Sequence, residues 1–344
     1  MNPLLYKQLV RRLSLLLTSL LACILLIGVF LLSYKSFNEI PELTEENNLT
    51  TWDPEKLIIQ NENADEQVKQ GYFLVSESSK FMGPLSKEPS LRFTGNNLSC
   101  TNCHLNGGTL SGAASWIGIT SRYPQFRNRE NKIGTIEERI NGCMERSMNG
   151  KKLPQNGEQM NAIVAYMKWL NQYLNKFNKK EFNGYPPIQI PNTAVNLDRG
   201  KKIYERECAL CHAFDGKGIR YNDPTDGYQY PPLWGEDSYN DGAGMHRVLT
   251  AAAFIKSNMP YLQANWENPK LTDEEAYHVA GYINSFERPQ KQNKGLDFPD
   301  KKQKPVSTPY GPWTDNFSSE QHKFGPFPPI IDFYQTTFGL TKTK

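Results

Sequence analysis

The chain has 344 residues, with 39 Lys and Arg against 36 Asp and Glu, a formal charge of +3 at neutral pH. That near-balance lacks the concentrated basic face nucleic acid demands, so no nucleic-acid partner is expected. Without an apolar leader, about 300 residues remain, enough for two domains with cores of their own.

The first predicted element is a mainly apolar, uncharged run from Leu13 to Ser33, preceded by Lys7, Arg11 and Arg12. Its ~20 residues match a bilayer and exceed the 7–15-residue core of a cleaved signal. Basic residues ahead of it keep the N-terminus inside and export the rest. Residues 1–36 therefore read as a single-pass anchor in a bacterial inner membrane, with the bulk on the periplasmic side. Cys23 follows Leu20-Leu21-Ala22 in a faint lipoprotein pattern, but the apolar run continues beyond it and the cysteine reads as inert. Residues 37–63 are polar and acidic, and read as a tether.

Two units follow, 64–185 and 192–289, and they repeat each other. Each has a helical stretch with a glycine and an aromatic (Gly71-Tyr72; Gly200 with Tyr204), then Cys-x-x-Cys-His, a long loop and an amphipathic helix. The closing helices are expected over Glu158–Leu170 and Thr272–Phe286. There Ile163, Tyr166, Met167 and Leu170 recur at helical spacing and align with Val279, Tyr282, Ile283 and Phe286.

Cys100-Thr101-Asn102-Cys103-His104 and Cys208-Ala209-Leu210-Cys211-His212 have the pattern of c-type haem attachment. Two cysteines three apart on a helical turn share a face and can reach both vinyl groups of one porphyrin. The adjacent histidine then ligates iron. A zinc knuckle or a redox dithiol gives no reason for two copies, each ending in histidine within a helix–loop–helix unit. Two covalently bound haem c groups are expected. The fold class is mainly α, with two class I cytochrome c-like domains in tandem after an N-terminal transmembrane helix.

Met259, in Ser257-Asn258-Met259-Pro260, sits where small cytochromes c place their sixth ligand, with Met245 and nearby lysines as rivals. Met259 lies 23 residues before Tyr282, and Cys143 lies 23 residues before Tyr166, so the two occupy equivalent places. A thioether favours ferrous iron and a high potential, whereas a thiolate favours ferric iron and a low one.

Thr135-Ile136-Glu137-Glu138 reads as a capping box opening a helix, with Gly150 as its stop. On it Arg139, Cys143 and Ser147 are spaced i, i+4, i+8 and share a face, with Arg146 one turn from the cysteine and Arg129 upstream. Guanidinium groups there would lower the thiol pKa and gather small oxyanions through forked hydrogen bonds. The alternative is that these arginines pair with haem propionates or with Glu130, Glu138 and Glu145. Residues 290–344 are proline-rich and without period, and read as an extended C-terminal strap. Its Tyr310, Trp313, Phe317, Phe324, Phe327, Phe333 and Tyr334 argue for packing over disorder.

Several separated motifs run in order: Arg139-Ile-Asn-Gly-Cys143-Met-Glu-Arg-Ser147-Met-Asn-Gly150, Pro231-Pro-Leu-Trp-Gly235, Gly242-Ala-Gly-Met-His-Arg247, Ile255-Lys-Ser-Asn-Met259-Pro260 and Gln321-His-Lys-Phe-Gly-Pro-Phe327. Through them the exported part resembles the dihaem thiosulfate dehydrogenases, also described as bifunctional tetrathionate reductases. The resemblance implies His104/Cys143 ligation at an active-site haem in the first domain and His212/Met259 ligation at an electron-transfer haem in the second. It places Arg129, Arg139 and Ser147 against substrate beside Cys143. It further implies coupling of two thiosulfates to tetrathionate with release of two electrons, or the reverse, with a cytochrome or terminal oxidase as electron partner. Two other readings fit the same residues: a membrane-tethered dihaem electron carrier without its own substrate, and a sulfur-oxidation cytochrome conjugating thiosulfate to a carrier cysteine.

Overall fold

The computed structural model describes residues 3–37, 58, 65–172 and 184–344. Nearly all of the expected tether, 37–63, lies outside the described residues. Residues 1–51 and 52–344 form separate compact units. In the first, a helix spans Pro3–Phe37, and its window Arg11–Gly28 has mean hydropathy 1.8 with nothing buried. That helix is long and apolar enough to cross a membrane.

In the second unit the sequence repeat becomes a repeated helix crossing. The Glu66–Ser76 helix starts where the Asp65 carboxylate accepts from the Gln67 amide, and it buries Val68, Gly71, Tyr72, Leu74 and Val75. It packs across the Glu158–Asn171 helix. At the crossing a Cβ on Gly71 would stand 2.0 Å from the Ala162 carbonyl oxygen, so only glycine lets the backbones meet. The second domain repeats this. The Leu197–Glu207 helix, capped by Asn196, packs on Asp273–Ser285, which a Thr272/Glu275 capping box opens. There a Cβ on Gly200 would stand 2.3 Å from the His278 carbonyl oxygen. The aromatic partners match as well, Tyr72 with Tyr166 at 5.7 Å and Tyr204 with Tyr282 at 5.6 Å between ring centroids. Both closing helices thus fall within a residue or two of their expected bounds.

Each domain has its own core. One gathers around Met144, Tyr166 and Leu170, the other around Tyr204, Tyr277 and Val279. A polar seam joins them: Asn96 Nδ2 donates to Ser238 O at 3.1 Å, Asn240 Nδ2 to Glu145 O at 2.9 Å, and Asn258 Nδ2 to Gly112 O at 3.0 Å. Side-chain amide donors paired across the seam in this way fix the domains in one register.

Two expectations need correction. The helix opened by Thr135 and Glu138 has its capping box, but it ends at Met144 rather than near Gly150. The amides of Arg146 and Met148 both turn back onto Cys143 O, at 3.1 and 3.0 Å, and Gly150 N reaches Met144 O at 2.8 Å. This reversal is packed tightly enough that a Cβ on Gly150 would meet Phe93 O at 2.1 Å. Ser147 therefore lies beyond the helix that carries Cys143.

The second correction concerns residues 290–344, expected to be extended. They carry helices Ser319–Phe324 and Pro328–Phe338. Pro328 and Pro329 fall in the first turn, where a missing amide costs nothing, so proline starts that helix instead of forbidding it. Phe327, Ile330 and Tyr334 are buried and belong to the second core. His322, fully buried, is bonded through both ring nitrogens, to Val306 O and Asp315 Oδ1 at 2.8 Å each, and stacks on Trp313 at 4.3 Å.

Candidate active site

The first Cys-x-x-Cys-His unit begins on a 3-10 turn, Cys100–Asn102, held by a Ser99/Asn102 capping box. Cys100, Cys103 and His104 thereby face one cleft, together with Cys143 from the Ile136–Met144 helix. The cleft encloses about 860 Å³ when the open space at its mouth is counted. Val75, Leu98, Ile140, Met144, Ile163 and Met167 make its walls apolar. Tyr239 and Met245 of the second domain complete the lining. Met245, a rival to Met259 on sequence, therefore borders the first site.

His104 Nδ1 bonds Ala114 O at 2.9 Å, and its ring lies against Trp116 at 4.8 Å. A carbonyl partner on Nδ1 fixes the ring and leaves Nε2 as the nitrogen offered to the cleft. His212 has the same arrangement, with Nδ1 on Pro231 O at 2.8 Å. Met259 follows directly on the Val248–Asn258 helix and packs, partly buried, against the second core.

The three cysteines of the cleft have opposite electrostatics. Burial pushes the Cys100 thiol up to about 11 and that of Cys103 up to about 12. Burial also opposes ionisation of Cys143, but the Arg139 guanidinium, a hydrogen bond with His104 and the field of Arg127 outweigh it and bring this thiol down to about 6. Arg139 Nη1 lies 3.1 Å from Cys143 Sγ. Cys143 is thus the sulfur of the cleft most disposed to ionise.

The arginines divide by partner. Arg127, on the hairpin Gln125–Arg127/Lys132–Gly134, is forked onto Glu130 at 2.9 and 3.2 Å. Arg129, expected to contact substrate, points its Nη1 at Asp297 Oδ2 (2.6 Å), Tyr310 Oη (3.1 Å) and Gly242 O (3.1 Å). Arg146 donates to the other oxygen of Asp297 at 2.6 Å. Arg247 has no carboxylate partner among the described residues and bonds only Gly244 O, at 3.4 Å. Burial, with Arg129 and Arg139 nearby, brings its pKa down to about 9. Ser147 lines the cleft despite leaving the helix. So Arg139, Ser147 and Cys143 come together, while Arg129 is engaged from the C-terminal segment. Sequence reasoning missed Asp297 and Tyr239, and read Tyr310 only as a packing aromatic. Arg247 stood inside a recognised motif without a role.

An apolar cleft, two cysteines on its edge, a histidine with fixed ring and a sulfur disposed to ionise are a donor set that suits haem c. The class so defined is a tandem of two cytochrome c domains that bind haem c. A family model described as SoxA/TsdA, cytochrome c domain, matches residues 92–172, and one described as cytochrome c matches 197–287. The chain is 45% identical to the thiosulfate dehydrogenase of Psychrobacter arcticus over 60% of its length and 61% of that protein's. It is 38% identical to that of Stutzerimonas stutzeri, covering 65% of this chain and 68% of the relative. The solved thiosulfate dehydrogenase (TsdBA) of Marichromatium purpuratum, in its as-isolated form, superposes with a TM-score of 0.58 at 36% identity, over 66% of this chain and 47% of that one. The chain belongs to the thiosulfate dehydrogenase family. It spans less than two thirds of the Psychrobacter protein and about half of the solved chain.

Proposed function

We propose that this protein joins two thiosulfates into tetrathionate and releases two electrons, with the retained N-terminal helix holding it at the membrane. The carrying observation is the 3.1 Å contact between Arg139 and Cys143 in a cleft that also holds His104. The relatives named above are thiosulfate dehydrogenases, which supports this reading.

Cys100 and Cys103 would attach the first haem, and His104 and Cys143 would hold its iron; Cys208, Cys211, His212 and Met259 would do the same for the second. When bound, the two haems supply one-electron acceptors for the pair of electrons and pass them to a cytochrome or terminal oxidase. The remaining work belongs to the side chains. Two dianions about 4 Å apart repel by roughly 4 kcal/mol even in bulk water, and by more in a cleft of lower dielectric. Arg139 and Arg129 offset that repulsion, and the Ser147 hydroxyl offers a donor to a substrate oxygen. The bond that forms joins the terminal sulfurs of the two thiosulfates. No proton is consumed, so cations rather than acid–base groups are what the site requires.

The test is turnover by purified, haem-loaded protein. With thiosulfate and ferricyanide, one tetrathionate should form for every two ferricyanides reduced, with no carrier protein present. Tetrathionate with reduced viologen measures the reverse direction. An absence of thiosulfate-dependent ferricyanide reduction would contradict the reading and leave an electron carrier.

A further inference from the structure

Asp297 stands 168 residues from Arg129 and 151 from Arg146, yet it bridges them. Its side chain is 9% exposed. Oδ2 accepts from Arg129 Nη1 at 2.6 Å and from the Tyr310 hydroxyl at 2.8 Å, and Oδ1 accepts from Arg146 Nη2 at 2.6 Å. Phe298 extends the grip: its amide donates to Arg129 O at 2.8 Å, and its ring lies 5.0 Å from the guanidinium. Arg129 is thus held by an ion pair, a ring and its own backbone. Its Nε and Nη2 edge carries no bond among the described residues.

The hold on Arg146 reaches the cysteine. The Arg146 amide donates to Cys143 O at 3.1 Å, and its Nη1 to Gly142 O at 3.4 Å. A buried carboxylate is costly, and in a site that gathers anions it also weakens the positive field. What it supplies is order. Two long cationic side chains lose their rotamer freedom before substrate arrives rather than on binding.

We propose that Asp297 is a positioning residue of the first site, presenting the open edge of Arg129 to a sulfur oxyanion and, through Arg146, fixing the chain around Cys143. The Arg129 half rests on the functional reading above; the Cys143 half does not. Burial works against the ionised carboxyl, but Arg129 and Arg146 hold it below the usual carboxylate range, so the clamp is charged at neutral pH.

The test uses haem-loaded Asp297→Asn, Asp297→Glu and Tyr310→Phe. Steady-state kinetics are read beside the spectrum and potential of each haem. Asp297→Asn should raise the thiosulfate KM about tenfold and shift the signal of the first haem but not the second. Asp297→Glu should restore part of the loss, and Tyr310→Phe, which keeps every charge, should raise KM by a smaller factor. An unchanged or lowered KM with an unaltered first-haem signal overturns the proposal, because a mere counter-ion behaves that way. If Asp297→Asn takes up no haem, the other two variants decide, and wild-type KM in both overturns it. If the wild type does not turn over thiosulfate, the functional reading falls and the spectral comparison alone decides: a shifted first haem supports the clamp, an unshifted one defeats it.

Discussion

Arg139 Nη1 stands 3.1 Å from Cys143 Sγ, one helical turn along the same helix. That cation, with His104 and Arg127, brings a thiol that burial would keep protonated down to about 6. The same guanidinium faces the cleft where two dianions would have to meet. Arg139→Gln should therefore lower kcat/KM for thiosulfate by about 10²–10³, the usual cost of losing one charge-stabilising donor. Arg139→Lys should recover little, since an ammonium lacks the planar fork. Steady-state kinetics on haem-loaded variants check both.

The identity of the sulfur at position 143 should set the first haem's potential. Cys143→Met replaces a thiolate by a thioether, so the lower of the two potentials should rise on the order of a few hundred millivolts while the other stays put. A spectroelectrochemical titration resolves the two waves.

The helix crossings predict matched losses of stability. A methyl at Gly71 or Gly200 would press on a carbonyl oxygen 2.0 or 2.3 Å away, neither of which can move without shifting a helix. Gly71→Ala and Gly200→Ala should each cost about 1–3 kcal/mol. Gly295, with nothing within 4 Å, is the control, and Gly295→Ala should stay within about 0.5 kcal/mol. Denaturant unfolding measures all three.

Acid should release the Asp297 clamp. Its folded pKa lies below the unfolded value of about 3.9, so its contribution is complete above that value and is lost as pH falls through the lower folded one. The stability advantage of wild type over Asp297→Asn should be full at pH 6 and shrink steadily below about pH 4. Unfolding curves at a series of pH values test this; a constant gap would place the ion pair's importance elsewhere.

What the sequence disclosed was what is local or repeated. Cys-x-x-Cys-His is contiguous, the Thr135/Glu138 cap is contiguous, and the equal spacings from Cys143 to Tyr166 and Met259 to Tyr282 come from a duplicated helix crossing. The orientation of Arg129 was hidden because its partner is 168 residues away and no periodic signal joins them. Ser147 was placed on the wrong element, since spacing alone cannot reveal that two amides fold back onto Cys143 O. The helix over Pro328–Phe338 was concealed by the prolines that begin it.

The most direct test of the account is anaerobic mixing of oxidised, haem-loaded protein with thiosulfate, wild type against Cys143→Ser, followed by haem absorbance. Wild type should be reduced at both haems with tetrathionate formed, while Cys143→Ser, carrying the same two haems, should stay oxidised. Equal reduction of the two proteins would contradict the claim that the sulfur opposite His104 is where the chemistry occurs.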